Sequence, residues 1–389
     1  MRTLVDQLSL LTARGIERDA WLLVEDGRVV ARGGGRAPEL DGVDRWSVAG
    51  RRVVPGFIDL HVHGGGGATV DDGADAIETA LALHRAHGTT RSLVSLVARP
   101  LGEMLQSLRT VAALTRRDPL VLGSHLEGPF LSPRRSAAHA PAHLRSPDPA
   151  TVDALLDAGG GTLAQITIAP ELPGALDAIE RFAEAGVVVA IGHTEANAVL
   201  VHTAVDRGAR LLTHTWNAMP GISAREPGPV GAALGRRSGD ADSDSVTLEL
   251  IADGIHVATE VLALTFAAAP GRIALVTDAM AAAGHRDGQY RLGGVDVSVN
   301  ESVARAASTG ALAGSTLTLE RALQVVIGAG VPDSTAIEAL TTTPARVLGL
   351  ENRLGDLSVG HAADFVVLDD GGEVVEVWAD GARLSGIPS

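Results

Sequence analysis

The segment "PGFIDLHVHGGGG", residues 55–67, sets two histidines, His61 and His63, one residue apart immediately before four glycines. On an extended strand side chains alternate, so imidazoles at that spacing point the same way. Phe57, Asp59, His61 and His63 then share one face, and Ile58, Leu60 and Val62 share the other. Further groups that bind metals or move protons stand where later apolar runs end: Glu127 in "HLEGP", His193 in "IGHTEAN", His214 in "LLTHTWNAM", Asp253 and His256 in "IADGIH", and Asp278 in "ALVTDAM". Taken singly, such a residue is more often a hydrogen-bonded structural group than a ligand. Six of eight runs ending in His, Asp or Glu is another matter, because packing favours apolar or small residues there. Imidazole and carboxylate donors suit zinc, iron and related divalent ions. A divalent ion lowers the pKa of a bound water towards ~7 and polarises carbonyl oxygens. An aspartate beside it can take the water's proton and pass it to a leaving nitrogen, which amide hydrolysis requires. Asp278, alone at the end of its run, is the candidate for that role. The implied chemistry is metal-assisted hydrolysis of an amide or similar bond.

Composition narrows the alternatives. Of the 389 residues 46% are hydrophobic and 20% charged, and no apolar run approaches ~18 residues, the reading of a globular protein rather than a membrane span. Cysteine is absent, which excludes disulfides, thiolate metal sites and cysteine nucleophiles. All 32 basic residues are arginine. Without lysine there is no Schiff base, no phosphate-loop lysine and no carbamylated lysine bridging two metals, so a bridging ligand must be a carboxylate. The net charge of -15 argues against a nucleic-acid partner. An anionic small substrate would need a local arginine or histidine pocket against that field. The opening "MRTLVDQLSLLTARGIERDAW" is broken by charges and lacks a signal-peptide core, which with the missing cysteine predicts a cytoplasmic location.

The elements that must position these groups follow from periodicity. Apolar, β-branched runs lie at Val53–His63, Thr90–Val97, Leu120–Glu127, Leu163–Pro170, Val187–His193, Leu211–Trp216, Val246–Asp253 and Ile273–Asp278. Alanine- and leucine-rich helical stretches such as "DAIETALALHRAHG" and "GALDAIERFAEAG" separate most of them. Eight strand–helix units predict an α/β fold of the TIM type, a (β/α)₈ barrel over residues 53–354. Hairpin signals at "WLLVEDGRVVARGGG" and "ADFVVLDDGGEVVEVWADG" predict a small β-sandwich domain built from both termini, residues 1–52 plus 355–389. "GRRSGDADSDS", Gly235–Ser245, reads as an exposed loop. Barrel active sites form at the carboxyl ends of the strands, where the His, Asp and Glu residues fall. The remaining histidines get structural readings: His84, His87 and His202 in helices, His285 and His361 in loops, and His125 buried beside Glu127. Asp59 is expected to accept a hydrogen bond near His61.

The motifs "PGFIDLHVHGGGG", "SHLEGPFLSP", "GHTEAN", "THTWNAMPGISAREPG", "ADGIHV", "VTDAMAAAG", "GALAGSTLTLERAL" and "TTTPARVLGLENRLGDLSVGHAADFVVLD" run nearly end to end. They resemble the amidohydrolase superfamily and, within it, the branch that deacetylates N-acetylglucosamine 6-phosphate. "HLEGPF" and "NAMPxxxxREPG" are specific to that branch, whereas "GHAADFVVLD" is superfamily-wide. The resemblance implies that Glu127, His193 and His214 hold a shared metal, and that Asp278 acts as general base and then acid while hydroxide at the metal attacks the acetamide carbonyl. Members differ at the first strand; with both histidines kept, His61 and His63 make a second ion possible, with Glu127 as bridge. The resemblance also implies substrate contacts at Ala138, His139, Asn217, Ala218 and Asp253, a 6-phosphate held by Arg225 and His256, and a sugar pocket at Leu312, Ala313 and Gly314. His139 would help polarise the carbonyl. The expected cofactor is one or two divalent ions per subunit, zinc first, with iron, cobalt or manganese open. The expected partner is a phosphorylated amino sugar, with no nucleic acid or membrane, in a homodimer whose second subunit completes the phosphate pocket. Arg134 and Arg135, in "LSPRRSAAHAPAH", depart from the pattern and stay open between phosphate attraction and solvation. The alternatives are another amidohydrolase of this architecture, an N-acetylgalactosamine-6-phosphate deacetylase or a cyclic amidase. A non-catalytic scaffold is disfavoured because every candidate ligand is present.

Overall fold

All but one of the apolar runs fold as single strands, and together they close on one another. In a computed structural model describing residues 2–48, 50–235 and 246–384, they are β1 (Phe57–Asp59), β2 (Thr89–Val97), β3 (Val121–Glu127), β4 (Leu163–Ile168), β5 (Val188–Ile191), β6 (Ala209–Leu212), β7 (Thr247–Ile251) and β8 (Ile273–Val276). They pair in parallel in chain order. The ring shuts just beyond β1 and β8, where Asp278 N–H donates to the His61 carbonyl and His63 N–H to the Ala279 carbonyl, both at 2.8 Å. All nine residues of β2 are buried, as expected of a strand covered on both faces. A helix lies between each barrel strand and the next; that over Ala175–Glu184 buries Ala175, Ala178, Ile179 and Phe182, one face at helical spacing. The loop predicted at Gly235–Ser245 lies outside the described residues except for Gly235, which ends the helix Gly228–Gly235. Among the described residues no helix is long and apolar enough to cross a membrane.

The first run divides. Arg52–Pro55 pairs with Ser9–Leu10 and with Phe365–Leu368 in a sheet made from both chain ends, and the barrel strand starts only at Phe57. Between them Gly56 passes so close to β2 that a Cβ would lie 2.3 Å from Thr90 Oγ1, so only glycine lets the chain switch sheets there. The terminal sheet holds Arg2–Thr12, Gly15–Glu25, Arg28–Gly34, Asp44–Ser47, Phe365–Leu368, Val374–Ala379 and Ala382–Arg383 besides Arg52–Pro55. It is tied to the barrel by the buried Arg91, whose Nε donates to Asp364 Oδ2 at 2.7 Å and whose Nη1 donates to the Pro119 carbonyl at 2.7 Å. A three-stranded antiparallel sheet, Gly288–Leu292, Val295–Asn300 and Val303–Ala306, follows β8 and was not anticipated from the helix-rich pattern of the middle. His87 caps the helix Ala74–Ala86 rather than lying within it.

Candidate active site and metal centre

The strand ends deliver their polar residues by a common device. His61, His193, His214 and Asp278 each stand two residues past the last residue of β1, β5, β6 and β8. The last three hold left-handed backbone, with φ of 47°, 28° and 48°. Non-glycine residues seldom adopt that region, and such strain concentrates where side chains must be aimed. Gly192, just before His193, packs so tightly that a Cβ would meet Thr213 Cβ at 2.7 Å.

Glu127, the last residue of β3, is the hub. Its Oε1 lies 3.0 Å from Nε2 of both His193 and His214 and 3.6 Å from His61 Nε2. Its Oε2 lies 3.2 Å from His63 Nε2 and 3.1 Å from His139 Nε2. The Nε2 atoms of His193 and His214 are 3.0 Å apart, those of His61 and His63 2.9 Å. Asp278 Oδ1 stands 3.3 Å from His63 Nε2 and 3.5 Å from His61 Nε2.

The far side of each ring decides which nitrogen can ligate. His63 Nδ1 meets the Ser95 carbonyl at 2.8 Å and His193 Nδ1 the Arg135 carbonyl at 2.7 Å. A carbonyl only accepts, so both Nδ1 atoms carry the proton and both Nε2 atoms present lone pairs. His61 Nδ1 faces Glu249 Oε2 at 3.2 Å, with the same consequence. Lone pairs on neighbouring nitrogens repel unless a cation or proton stands between them, so this donor set fits a metal ion, and imidazole with carboxylate is a set that divalent ions accept. His61, His63 and Glu127 form one such group and Glu127, His139 and His193 another. In the second, His139 Nδ1 accepts the Ala98 N–H at 3.4 Å, which makes its Nε2 the proton donor to Glu127. His214 therefore fits the ligand role better than His139.

The field follows from this crowding. Burial alone would raise the Glu127 carboxyl, but His61, His139 and His193 outweigh it and hold it well below the usual range. Asp278 is likewise raised by burial and lowered more by His61 and His63, to about 2, so it is held ionised. Burial disfavours charge on His63, yet Asp278 and Glu127 bring it up to about 9, which marks the spot as one where positive charge is favoured.

Above the hub opens a cavity of roughly 380 Å³, in the range of small-molecule sites. Glu127, His193, His214 and Asp278 reach it, while His61 and His63 lie beneath, almost wholly buried. Ala138, His139, Asn217, Ala218, His256, Leu312 and Gly314 line its walls with Arg134 and Arg135. Three residues expected at the substrate do not line it. Asp253 instead braces His256, its Oδ1 accepting the His256 N–H at 2.8 Å and its Oδ2 facing Nδ1 at 2.7 Å. Ala313 points into the apolar cluster with Met280, Leu292 and Val297. Arg225 is exposed on the segment ahead of the helix Gly228–Gly235. Arg135 is ion-paired with Glu195, whereas the exposed Arg134 lies 3.8 Å from that carboxylate.

Sequence reading missed Glu249, Ser95 and Gln165, which orient the His61 and His63 rings or each other from mid-strand. A glutamate inside the apolar run "VTLELIA" was the available signal. His125 keeps its structural reading, with Ser95 Oγ and Thr167 Oγ1 both at 2.9 Å, and Asp59 accepts the His61 N–H at 3.1 Å and the Thr277 hydroxyl at 2.6 Å.

The amidohydrolase family profile matches residues 52–384. The chain belongs to the amidohydrolase family. Among its relatives in that family, an N-acetylgalactosamine-6-phosphate deacetylase of Escherichia coli O157:H7 is 39% identical over 86% of this chain and 88% of its own. An N-acetylglucosamine-6-phosphate deacetylase of Bacillus subtilis is 31% identical over 96% of this chain and 94% of its own. A solved amidohydrolase, the D267A mutant of N-acetyl-D-glucosamine-6-phosphate deacetylase from Mycobacterium smegmatis in complex with N-acetyl-D-glucosamine-6-phosphate, superposes with a TM-score of 0.91 at 41% identity, covering 98% of this chain and 99% of that one.

Proposed function

We propose that this amidohydrolase cleaves the acetamide of N-acetyl-D-glucosamine 6-phosphate, releasing D-glucosamine 6-phosphate and acetate. The observation that carries the reading is the convergence of Glu127, His193, His214 and Asp278 on one cavity, in a chain so similar to the Mycobacterium smegmatis enzyme. Glu127, His193 and His214 would hold a divalent ion, which would supply an activated water and polarise the carbonyl. Asp278, held ionised, accepts the water's proton and returns it to the departing nitrogen, which leaves as the amine. His139 lines the cavity, and its Nε2 proton, donated to Glu127 in the resting site, turns to the carbonyl oxygen as charge develops there. His256, braced by Asp253, receives the 6-phosphate, and the exposed Arg134 adds attraction at the rim. Arg225 reaches this phosphate from the second subunit of a homodimer, since it lies outside the cavity of its own chain. His61 and His63, with Glu127, would hold a second ion, and zinc is the first candidate for both positions.

The 39% identical Escherichia coli relative favours a second reading, the galactosamine epimer as substrate. Metal quantification on purified protein, with amine release from both 6-phosphate epimers and from unphosphorylated N-acetylglucosamine, tests all of this. Metal-dependent turnover that prefers the gluco epimer and needs the phosphate is the expected result. A preference for the galacto epimer moves the substrate assignment, and turnover indifferent to phosphate removes it.

A further inference from the structure

Glu249 lies inside β7, fully buried, and takes no part in the steps above. Its Oε1 accepts the Nε2–H of Gln165 at 2.8 Å. Its Oε2 lies 3.2 Å from two groups at once, the Nδ1 of His61 and the backbone N–H of His214. The main-chain carbonyl of Glu249 also accepts the Thr215 N–H at 2.8 Å. One residue thus grips a histidine ring carried past β1 and the left-handed turn past β6 that aims His214. Those histidines belong to opposite halves of the centre, His61 beside His63 and His214 beside His193.

We infer that Glu249 is a positioning residue shared by both halves of the metal centre: it holds His61 in the tautomer that turns a bare Nε2 towards Glu127, and it anchors the backbone that carries His214. The inference rests on the metal reading proposed above. A carboxylate behind a ligating imidazole fixes the ring and strengthens it as a donor, and loss of such a partner typically costs ~10–100-fold in metal affinity. The hydrogen bonds also allow a clean substitution. Gln165 Oε1 is buried without a partner among the described residues, so in Glu249→Gln the Gln165 amide can turn over and accept from the introduced amide. The remaining oxygen still accepts from His61 and His214. That variant therefore removes the charge and keeps the bonding, whereas Glu249→Ala also strips the acceptor from His214 N–H.

The test titrates metal-free wild type, Glu249→Gln, Glu249→Ala and a His61→Ala/His63→Ala double variant with Zn²⁺ against a chelator of known affinity, and records the metal-free Tm of each. Wild type should take up two equivalents and the double variant one. Glu249→Gln should hold the second equivalent ~10–100-fold more weakly at an unchanged metal-free Tm. Glu249→Ala should weaken both equivalents. Two equivalents at wild-type affinity in Glu249→Gln would overturn the inference. A wild type that takes up one equivalent or none would overturn instead the two-ion reading beneath it.

Discussion

The backbone N–H of Asp278 donates to the carbonyl of His61 at 2.8 Å, so the proposed general base and a proposed ligand are joined at the seam where the barrel closes. The Asp278 carboxylate then falls 3.5 Å from the His61 ring. Placement of the base is thus a product of barrel closure, not of a mobile loop. Asp278→Asn keeps the shape and cannot accept the proton, so turnover should fall by at least the ~10²–10⁴-fold that general-base catalysis contributes. Metal content should stay at the wild-type level. Activity within a few-fold of wild type would remove Asp278 from the role.

The two histidines that begin the motif lie under the cavity floor rather than in its wall. Replacing both with alanine should cost one equivalent of bound metal and leave the equivalent at Glu127, His193 and His214. Glu127→Ala, which removes the shared carboxylate, should cost both. Elemental analysis after dialysis reads the difference, and an unchanged stoichiometry in the double variant would mean that His61 and His63 ligate nothing.

Arg225→Ala should raise KM for the phosphorylated sugar with a smaller effect on kcat, because the side chain is assigned to binding at a distance from the reacting bond. Since Arg225 lies outside its own chain's cavity, mixing Arg225→Ala chains with Asp278→Asn chains should recover activity in the mixed dimers. Absence of recovery, with mixed dimers demonstrated, would place the phosphate on residues of a single chain.

His84 is buried in the helix Ala74–Ala86, where its Nε2 donates to the Gly64 carbonyl at 2.9 Å. Burial brings its pKa down from 6.5 to about 4. The folded state thus binds the proton less readily than the unfolded one. Its contribution is fully present above pH ~6.5 and is lost as pH falls towards ~4, amounting to about 2 kcal/mol between pH 7 and pH 5. Urea denaturation at those two pH values should show this loss in wild type and a smaller one in His84→Gln, which retains a donor for Gly64. Equal slopes would mean that His84 titrates normally.

The strand ends were legible because a barrel strand is a short apolar run and a His, Asp or Glu at its end interrupts that run. Periodicity placed all eight barrel strands, and residue type picked out Glu127, His193, His214 and Asp278 before any contact was known. The same logic could not see Glu249, since a single carboxylate within an apolar run reads as noise until its partners, Gln165, His61 and His214, arrive from three other strand regions. Nor could it divide Val53–His63, because what separates Pro55 from Phe57 is the approach of Thr90 to Gly56. Local sequence determined which elements form and which chemical groups they carry, because propensity, periodicity and residue type are properties of a short stretch. Only the closed barrel decided which nitrogen of each ring faces Glu127, which residues wall the cavity and which merely brace it, because those are set by distances between atoms far apart in the chain.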